Sequence, residues 1–265
     1  MTANGAGTAV AARPREVTEV HTRILRVTLA EPECRAYWEN VELSVEAPKR
    51  AAIAFEQRWF GAKSMARVQT LVAALSERFD PFPEALSVLH AWRGMNAATR
   101  VLVCHFHLQL TDPIYRAFTG EFLVQRRASG HARVERDQVE RWIHETHGDR
   151  WAAVTRLKFA SNLLTAAGEA GLVGGRRDPR TLTWPTVTDE ALGYCLYLLR
   201  GTEFEGRLFE NPYLASVGLT GEALDVRLRS IDAVHVRRLG DVVDIEWAAP
   251  DLRQWAEQTR GASPP

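Results

Sequence analysis

Apolar residues recur at helical spacing through the first half of the chain and predict a bundle of helices. The clearest stripe follows Ser64, a candidate N-cap, and its members share one helix side: Val68, Leu71, Val72, Leu75 and Phe79. Pro83 opens the next helix, and Asp112-Pro113 opens a later one, because proline is favoured in the first turn of a helix. We therefore predict an N-terminal helical domain over residues 21–128.

The next stretch, residues 129–201, has the layout of a winged helix-turn-helix. An amphipathic helix is followed by a tight turn in which Asp149 caps a long helix over residues 151–170. Two short strand candidates then flank residues 174–179, whose glycines and Asp-Pro pair favour a hairpin turn. A further helix is capped by Thr188. Two helices followed by a hairpin predict a winged-helix domain here.

The last part of the chain repeats this theme on a smaller scale. Thr220 caps a candidate helix, and two alternating segments flank a Gly240-Asp241 hairpin turn before a final helix. We predict an α+β element over residues 202–260, with a disordered tail over residues 1–20 and a short tail over residues 261–265. The predicted fold class is mainly α, a helical bundle with a winged helix-turn-helix and a small C-terminal α+β hairpin element.

Composition places the chain among ordinary globular proteins. Lysine plus arginine and aspartate plus glutamate number 33 each, so no overall charge attracts nucleic acid. The three cysteines are far apart and odd in number, which argues against a disulfide framework and favours a reducing compartment. The N-terminal residues lack the apolar segment of a signal peptide, and no apolar run approaches the ~20 residues of a membrane span. We therefore predict a cytoplasmic protein without a membrane partner.

A local basic region coincides with the predicted winged helix. From Arg150 to Arg180, six basic residues stand against two acidic ones, a net charge of +4, whereas the chain from Gly201 onward carries a net charge of −4. The turn after the long helix holds arginines where a wing would reach a phosphate backbone. We predict that the following residues bind phosphates: Arg150, Arg176, Arg177 and Arg180.

The long helix carries two contrasting sides. One side is apolar and consists of Val154, Leu157, Ala160, Leu164 and Gly168. A second, narrow arc is polar with a single charge, and consists of Thr155, Lys158, Asn162 and Thr165. Hydroxyl, amide and ammonium groups are suited to phosphates and base edges in a major groove. We predict that Thr155, Lys158 and Asn162 face the groove of double-stranded DNA.

A short cysteine and histidine cluster raises the possibility of a metal site. Cys104 and His107 share one side of a predicted helix, but two ligands do not make a site. His90 or His131 would have to complete it through folding. Packed core histidines are the preferred interpretation, and we predict no metal.

Catalytic patterns are weak in this sequence. Asp244 and Glu246 resemble part of a metal-dependent nuclease site, but Ala248 stands where the lysine that positions water would be. Neither a glycine-rich phosphate loop nor a nucleophile elbow occurs in the chain. We predict neither catalytic residues nor a cofactor, and a nuclease remains the minor alternative.

Motifs at several points between Ile24 and Trp255 occur in a distinctive order. They are Phe60-Gly61, Ser64, Arg67-Val68, Arg78-Phe79, Asp112-Pro113-Ile114-Tyr115-Arg116, Phe118, Glu121, Trp151, Thr155, Lys158, Ala170-Gly171-Leu172, Ser216-Val217-Gly218-Leu219, Leu228 and Gly240-Asp241-Val242-Val243. In this order the chain resembles the BrxA family of BREX phage-defence systems. The resemblance implies a small, mainly helical, non-enzymatic cytoplasmic protein with affinity for double-stranded DNA. It also implies a system that contains a DNA methyltransferase, a large ATPase and a phosphatase-like protein.

These observations together predict a non-enzymatic, double-stranded DNA-binding accessory protein of a BREX-type system. Other subunits of that system, namely the methyltransferase, the ATPase and the phosphatase-like protein, are possible partners. The alternative is a protein-interaction scaffold that docks another defence subunit through its winged helix, because many winged helices bind only proteins. A solvated helix face and a basic loop would then account for the same residues.

Overall fold

Helices make up most of the N-terminal half of the chain. In this computed structural model, which describes residues 13–239 and 242–262, a single 3-10 turn is followed by seven helices. Their bounds are α1 (Glu31–Asn40), α2 (Ala47–Glu56), α3 (Met65–Phe79), α4 (Pro83–Ala91), α5 (Ala97–Thr111), α6 (Pro113–Ala117) and α7 (Leu123–Ala128). A π-helical segment, Phe118–Phe122, joins α6 to α7. The predicted mainly helical character of this half is therefore confirmed.

Side-chain caps begin several of these helices, as the sequence predicted. Ser64 Oγ accepts a hydrogen bond from the Arg67 amide at 3.3 Å at the start of α3. An Asp112 carboxylate oxygen accepts from the Tyr115 amide at 2.9 Å at the start of α6. Such bonds satisfy backbone donors that have no partner within the helix.

Helix α5 lies at the centre of the core. From Leu102 to Thr111 every residue of this helix is buried, and α1, α3 and α10 (Asp189–Arg200) pack around it. Most of its polar side-chain atoms therefore bond within the protein rather than to solvent. His105, for example, lies between Tyr115 Oη and Ser216 Oγ, each at 2.9 Å. His107 Nδ1 and Gln109 Oε1, by contrast, have no partner among the described residues.

The middle of the chain alternates short strands with two helices. The elements are β1 (Arg133–Val134), α8 (Arg136–His147), a 3-10 turn (Gly148–Arg150), α9 (Ala153–Glu169), β2 (Val173–Gly174) and β3 (Arg180–Leu182). The three strands form an antiparallel sheet in the order β1-β3-β2. The predicted cap Asp149 is wrong, because that residue lies in the separate 3-10 turn and Ala152 occupies the N-cap position of α9.

The C-terminal part adds four helices and a hairpin to the described chain. They are α10, α11 (Pro212–Ser216), α12 (Gly221–Ser230), β4 (Val234–Leu239), β5 (Val242–Trp247) and α13 (Leu252–Ala262). Thr188 caps α10 through the Ala191 amide at 3.0 Å, as predicted. The antiparallel pairing of Val234 with Trp247 confirms the predicted strand pair, and the predicted Gly240-Asp241 turn lies outside the described residues.

The described part of the predicted N-terminal tail is packed against the body of the protein. The Glu16 amide donates to the Glu203 carbonyl at 2.9 Å, and the Val17 amide donates to the Leu110 carbonyl at 2.8 Å. The Glu16 side chain is buried and accepts hydrogen bonds from the Glu205 amide and the Tyr213 hydroxyl. Residues 16 and 17 are therefore held by the rest of the chain, and residues 1–12 and 263–265 lie outside the description.

One cluster of buried side chains extends from Ile24 to Ala256 and so includes residues of all three predicted units. The division into three domains stays a prediction. Among the helices within residues 13–239 and 242–262, none combines the length and the apolar composition that a bilayer span requires.

Candidate nucleic-acid interface

The side of helix α9 that is exposed to solvent differs from the polar side that the sequence predicted to face outward. Its buried residues are Phe159, Ala160, Leu163, Leu164, Ala166 and Ala167. Val154 and Leu157, which belong to the apolar side noted in the sequence, are instead 66% and 38% exposed. With 3.6 residues per turn, the accessible arc that contains them is Val154, Leu157, Lys158, Ser161 and Thr165, here called the outer face of α9. The outer face thus combines two apolar side chains, two hydroxyls and one ammonium.

The hydroxyls of the outer face are oriented by the helix itself. Ser161 Oγ donates to the Leu157 carbonyl at 2.9 Å, and Thr165 Oγ1 donates to the Ser161 carbonyl at 2.8 Å. Both oxygens keep lone pairs that can accept a hydrogen bond from outside. Thr155, one residue after Val154 and hence about 100° around the helix, is half-buried and lies beside this face.

Asn162 is occupied by the protein. Its Nδ2 donates to the Ile24 carbonyl at 2.9 Å, which joins α9 to the 3-10 turn near the N-terminus. Glu169 makes a similar link, since its carboxylate accepts from the Leu29 amide at 2.8 Å and the Ala30 amide at 3.3 Å, where α1 begins. We therefore leave Asn162 out of the candidate DNA surface. Asn162 therefore lies at the edge of the outer face, where α9 contacts the segment around Ile24.

Arg180 is also occupied, and it fixes the base of the loop between β2 and β3. Its side chain is only 15% exposed, and Nη1 donates to the Leu164 carbonyl at 2.9 Å. Asp178 lies 3.5 Å from Arg180 Nε and accepts from the Arg136 amide at 3.1 Å, at the start of α8. The loop is thus attached to both helices. Arg180 has a positioning role, and we leave it out of the surface that meets a ligand.

Two other arginines of this loop point into solvent. Arg176 and Arg177 are exposed and make no hydrogen bond or ion pair with a described residue. The loop, Gly175–Pro179, is here called the wing loop. Leu164, to which its base is bonded, lies seven residues after Leu157 and so on the same side of α9. The wing loop therefore lies beside the outer face, and both of its arginines keep their full charge for a partner.

Two further cations lie near this surface. Lys158 is exposed on the outer face, and it too makes no polar contact within the described chain. Arg150 is exposed in the turn before α9, where Nη2 donates to the Val20 carbonyl at 3.0 Å and the guanidinium lies 5.4 Å from the Trp151 ring centroid. Neither the carbonyl nor the ring carries a negative charge, so the charge of Arg150 is not compensated by these two contacts. Lys158, Arg150 and the two wing-loop arginines thus form a group of four exposed cations.

Trp184, which the sequence analysis did not single out, is the other large exposed side chain of this region. It is 52% exposed and stacks on the Arg127 guanidinium at 4.0 Å from the ring centroid. Arg127 donates to the Leu172 and Thr183 carbonyls at 2.9 and 2.8 Å, so it supports the end of the sheet. Burial lowers the pKa of Arg127 to about 10, which still leaves it charged at neutral pH. The available sequence signal was an aromatic residue at the end of a short strand candidate.

The predicted alternatives that involve metal gain no support from the geometry. Cys104 and His107 are both buried, and His107 Nε2 lies 2.7 Å from the Tyr194 hydroxyl. Among the described residues, no group of three or more His, Cys, Asp and Glu side chains is placed to hold a metal ion. The exposed Asp244 and Glu246 lie opposite basic residues in the β4–β5 ladder. Their spacing therefore fits two side chains on the same face of one strand.

The comparisons with known proteins bear on the fold alone. No family model matches the chain, and no curated protein matches it. Among solved structures, the fold is similar to that of an uncharacterized protein from Magnetospirillum magneticum, with a TM-score of 0.51 and 16% sequence identity. The alignment covers 69% of this chain and 97% of that one. At this identity the likeness supports a shared, mainly helical fold.

Replacing Arg180 should destabilise the fold, whereas replacing its neighbour Arg177 should not. Arg180→Met keeps the aliphatic stem but removes the bond to the Leu164 carbonyl, a loss of about 1–2 kcal/mol in the free energy of unfolding. Arg177→Met changes an exposed side chain and should stay within about 0.5 kcal/mol of wild type. Denaturant unfolding of the two matched variants measures both values. Equal stability of the pair would contradict the positioning role of Arg180.

Proposed function

We propose that the chain binds double-stranded DNA through a winged helix-turn-helix built from β1, α8, α9, β2 and β3. The observation that carries the proposal is the order of these elements together with the sheet order β1-β3-β2 and a solvent-accessible face on the second helix. In helix-turn-helix proteins the second helix enters the major groove and the first crosses the backbone. Helix α9 would therefore be the groove helix, and the wing loop would reach the flanking backbone.

The charge of this surface supports a phosphate partner. Lys158, Arg176 and Arg177 are exposed without an acidic neighbour in contact, and the outer face of α9 carries no carboxylate. Phosphate contacts supply most of the affinity of a protein for duplex DNA and make it strongly dependent on salt. Because the whole chain is neutral, binding would depend on this local surface rather than on the overall field. We expect an affinity that is modest at low salt and that falls steeply as salt is added.

A role in phage defence rests on the resemblance to the BrxA family. We propose that the protein is an accessory of a BREX-type system, that it has no catalytic activity of its own, and that its protein partners are subunits of that system. Its gene would then lie beside those for a DNA methyltransferase and a large ATPase. A defence strain that lacks this gene should lose protection in a plaque assay, and a gene restored with the wing-loop arginines replaced should not recover it. Full protection without the gene would contradict this proposal.

Removing the wing-loop arginines should weaken duplex binding without unfolding the protein. We expect Arg176→Ala with Arg177→Ala to lower affinity at least about tenfold at low salt, because two phosphate contacts are lost. The slope of log K against log salt should become shallower by roughly 1.8, at about 0.9 for each phosphate. Fluorescence anisotropy with a labelled duplex across a salt series measures both quantities.

The matched control removes the same charge from another surface. Arg229→Ala with Arg253→Ala replaces two exposed arginines of α12 and α13 and should leave both the affinity and the salt slope unchanged. If the two double variants lose affinity equally, net charge rather than the wing loop drives binding. If wild type binds no duplex at low salt, the DNA proposal fails.

The protein-docking alternative is favoured by one observation, the exposure of Val154 and Leu157 on the outer face of α9. Exposed apolar side chains that lie together are found at protein interfaces more often than scattered ones. If wild type does not bind a duplex and retains a purified defence subunit, the scaffold function replaces DNA binding. Val154→Ser with Leu157→Ser should then abolish that retention.

A further inference from the structure

We infer that Val154 and Leu157 give the protein a preference for DNA that carries methyl groups at the pyrimidine C5 position in the major groove, as thymine does. The inference rests on the proposed DNA-binding function and assigns to these residues a specificity role. Both are accessible on the outer face of α9, at 66% and 38% exposure. Their apolar side chains therefore do not contribute the stabilisation that burial in the core would give.

The spacing of the pair suits neighbouring bases. Val154 and Leu157 are three residues apart, so they lie on the same side of the helix and about 4.5 Å apart along its axis. Successive base pairs are separated by about 3.4 Å along a duplex. Two such side chains on a helix in the groove would therefore meet the edges of adjacent base pairs.

A methyl group is the apolar feature that a major groove offers. The other groups on the base edges there are hydrogen-bond donors and acceptors, which distinguish G, C and A. Valine and leucine cannot hydrogen-bond through their side chains, so their favourable contact is with the methyl of thymine. The same methyl occurs in 5-methylcytosine, and both bases would satisfy the pair.

The rest of the outer face argues for DNA rather than for a protein groove. A helix that docks into a protein groove continues its apolar anchors at positions i, i+3 or i+4, and i+7. Here the position seven residues after Val154 is Ser161, and Thr165 follows one turn later. Lys158 lies beside Leu157, and the exposed Arg176 and Arg177 lie on the adjoining wing loop. The apolar pair is therefore set in a hydroxyl-bearing and cationic surface, which complements a phosphate-lined groove.

The test uses the full-length protein and three duplexes of one sequence. The first contains thymine, the second has deoxyuridine at every thymine position, and the third is the deoxyuridine duplex with 5-methylcytosine at every cytosine. All three carry the same phosphate charge. We expect wild type to bind the thymine duplex at least about fivefold more tightly than the deoxyuridine duplex, from two buried methyl contacts. The 5-methylcytosine duplex should recover part of that affinity.

A double variant and a single-residue control then assign the preference to the outer face. For Val154→Ser with Leu157→Ser, the ratio of the affinity for the thymine duplex to the affinity for the deoxyuridine duplex should fall to about one. The control Val226→Ser replaces an apolar side chain of α12 that is 51% exposed and should keep the full preference. Thermal melts of each variant verify that it is folded.

The outcomes separate this inference from the function on which it rests. If wild type binds the thymine and deoxyuridine duplexes equally, the inference is wrong and DNA binding stands, with a protein-docking role left for the pair. If the Val154→Ser, Leu157→Ser variant is folded but keeps the thymine preference, the inference is also wrong. If wild type binds none of the three duplexes, the proposed function fails and the inference fails with it.

Discussion

Acidification from pH 6.5 to about 4.5 is expected to lower the free energy of unfolding by about 4–5 kcal/mol, because two histidines are held neutral in the core. Burial lowers the pKa of His105 and that of His107 from 6.5 to about 3. The unfolded chain therefore takes up two more protons than the folded one between these values. This stability is fully present above pH 6.5 and is lost as the pH falls toward 3. A loss of this size is a large part of the 5–15 kcal/mol typical of a folded protein.

The hydrogen bonds of His105 show why its protonation is costly. Ser216 Oγ donates to the Tyr213 carbonyl at 2.6 Å, so His105 Nε2 must donate to Ser216 while Nδ1 accepts from the Tyr115 hydroxyl. A proton on Nδ1 would place a donor against the Tyr115 donor. It would also place an unpaired charge in the core.

The measurement is a set of urea unfolding curves between pH 7 and pH 4.5. His107→Gln should roughly halve the dependence of stability on pH, even if its absolute stability is lower. The same exchange at an exposed histidine, His235→Gln, is the matched control. Asp112 has the opposite effect on the stability at low pH. Burial raises the pKa of its carboxyl, so the folded state takes up that proton more readily than the unfolded chain does. If the His107→Gln variant keeps the wild-type dependence on pH, buried histidine is not its source.

Gly120→Ala is expected to destabilise the protein by about 3 kcal/mol or more. Gly120 lies in the π-helical segment, and a Cβ there would stand 2.4 Å from Pro212 Cβ and 2.6 Å from the Pro212 carbonyl oxygen. Since two of the nearest atoms belong to the backbone at the start of α11, no side-chain rotation can relieve the contact. The midpoint of thermal unfolding should fall by roughly 6–12 °C.

A second helical glycine supplies the control. At Gly168 in α9, a Cβ would meet its nearest neighbour, the Val173 carbonyl oxygen, at 3.7 Å, an ordinary contact. Gly168→Ala should therefore be neutral or raise stability by about 0.5–1 kcal/mol, because alanine loses less conformational freedom in a helix. Calorimetry of the two variants compares them directly. Similar melting points would show that α11 can move away from the π-helical segment.

Local signals in the sequence were sufficient to predict most elements of this fold. Ser64, Asp112 and Thr188 cap helices in the structure as predicted, because a cap depends on residues three positions apart. The prediction that Asp149 caps α9 was wrong, and the reason is also local. The turn after α8 closes on itself as a 3-10 turn, which moves the start of α9 to Ala152.

The candidate site was harder to predict, because residues far away in the sequence decide which side of α9 is covered and which is accessible. Apolar residues occur nearly all round α9, so helical periodicity alone does not choose which of them are buried. Asn162 bonds within the protein because its partner is the Ile24 carbonyl, 138 residues earlier in the chain. In the sequence Arg180 resembles its neighbours Arg176 and Arg177, and only its tertiary contacts, with the Leu164 carbonyl and Asp178, distinguish it. Side-chain type indicated the basic region, whereas tertiary contacts decide which of its members are accessible.

The segment around Glu16 sets an order of events during synthesis on the ribosome. Its side chain accepts a hydrogen bond from the Glu205 amide, 189 residues later, and another from the Tyr213 hydroxyl, 197 residues later. At about 5–20 residues per second, those partners emerge roughly ten to forty seconds after Glu16 does. Until then, the Glu16 carboxylate can pair only with partners that emerge earlier, such as Arg116, whose Nε lies 3.5 Å from it. A nascent chain stalled before residue 205 would therefore lack both of these bonds and could hold this segment through the Leu110 carbonyl and Arg116.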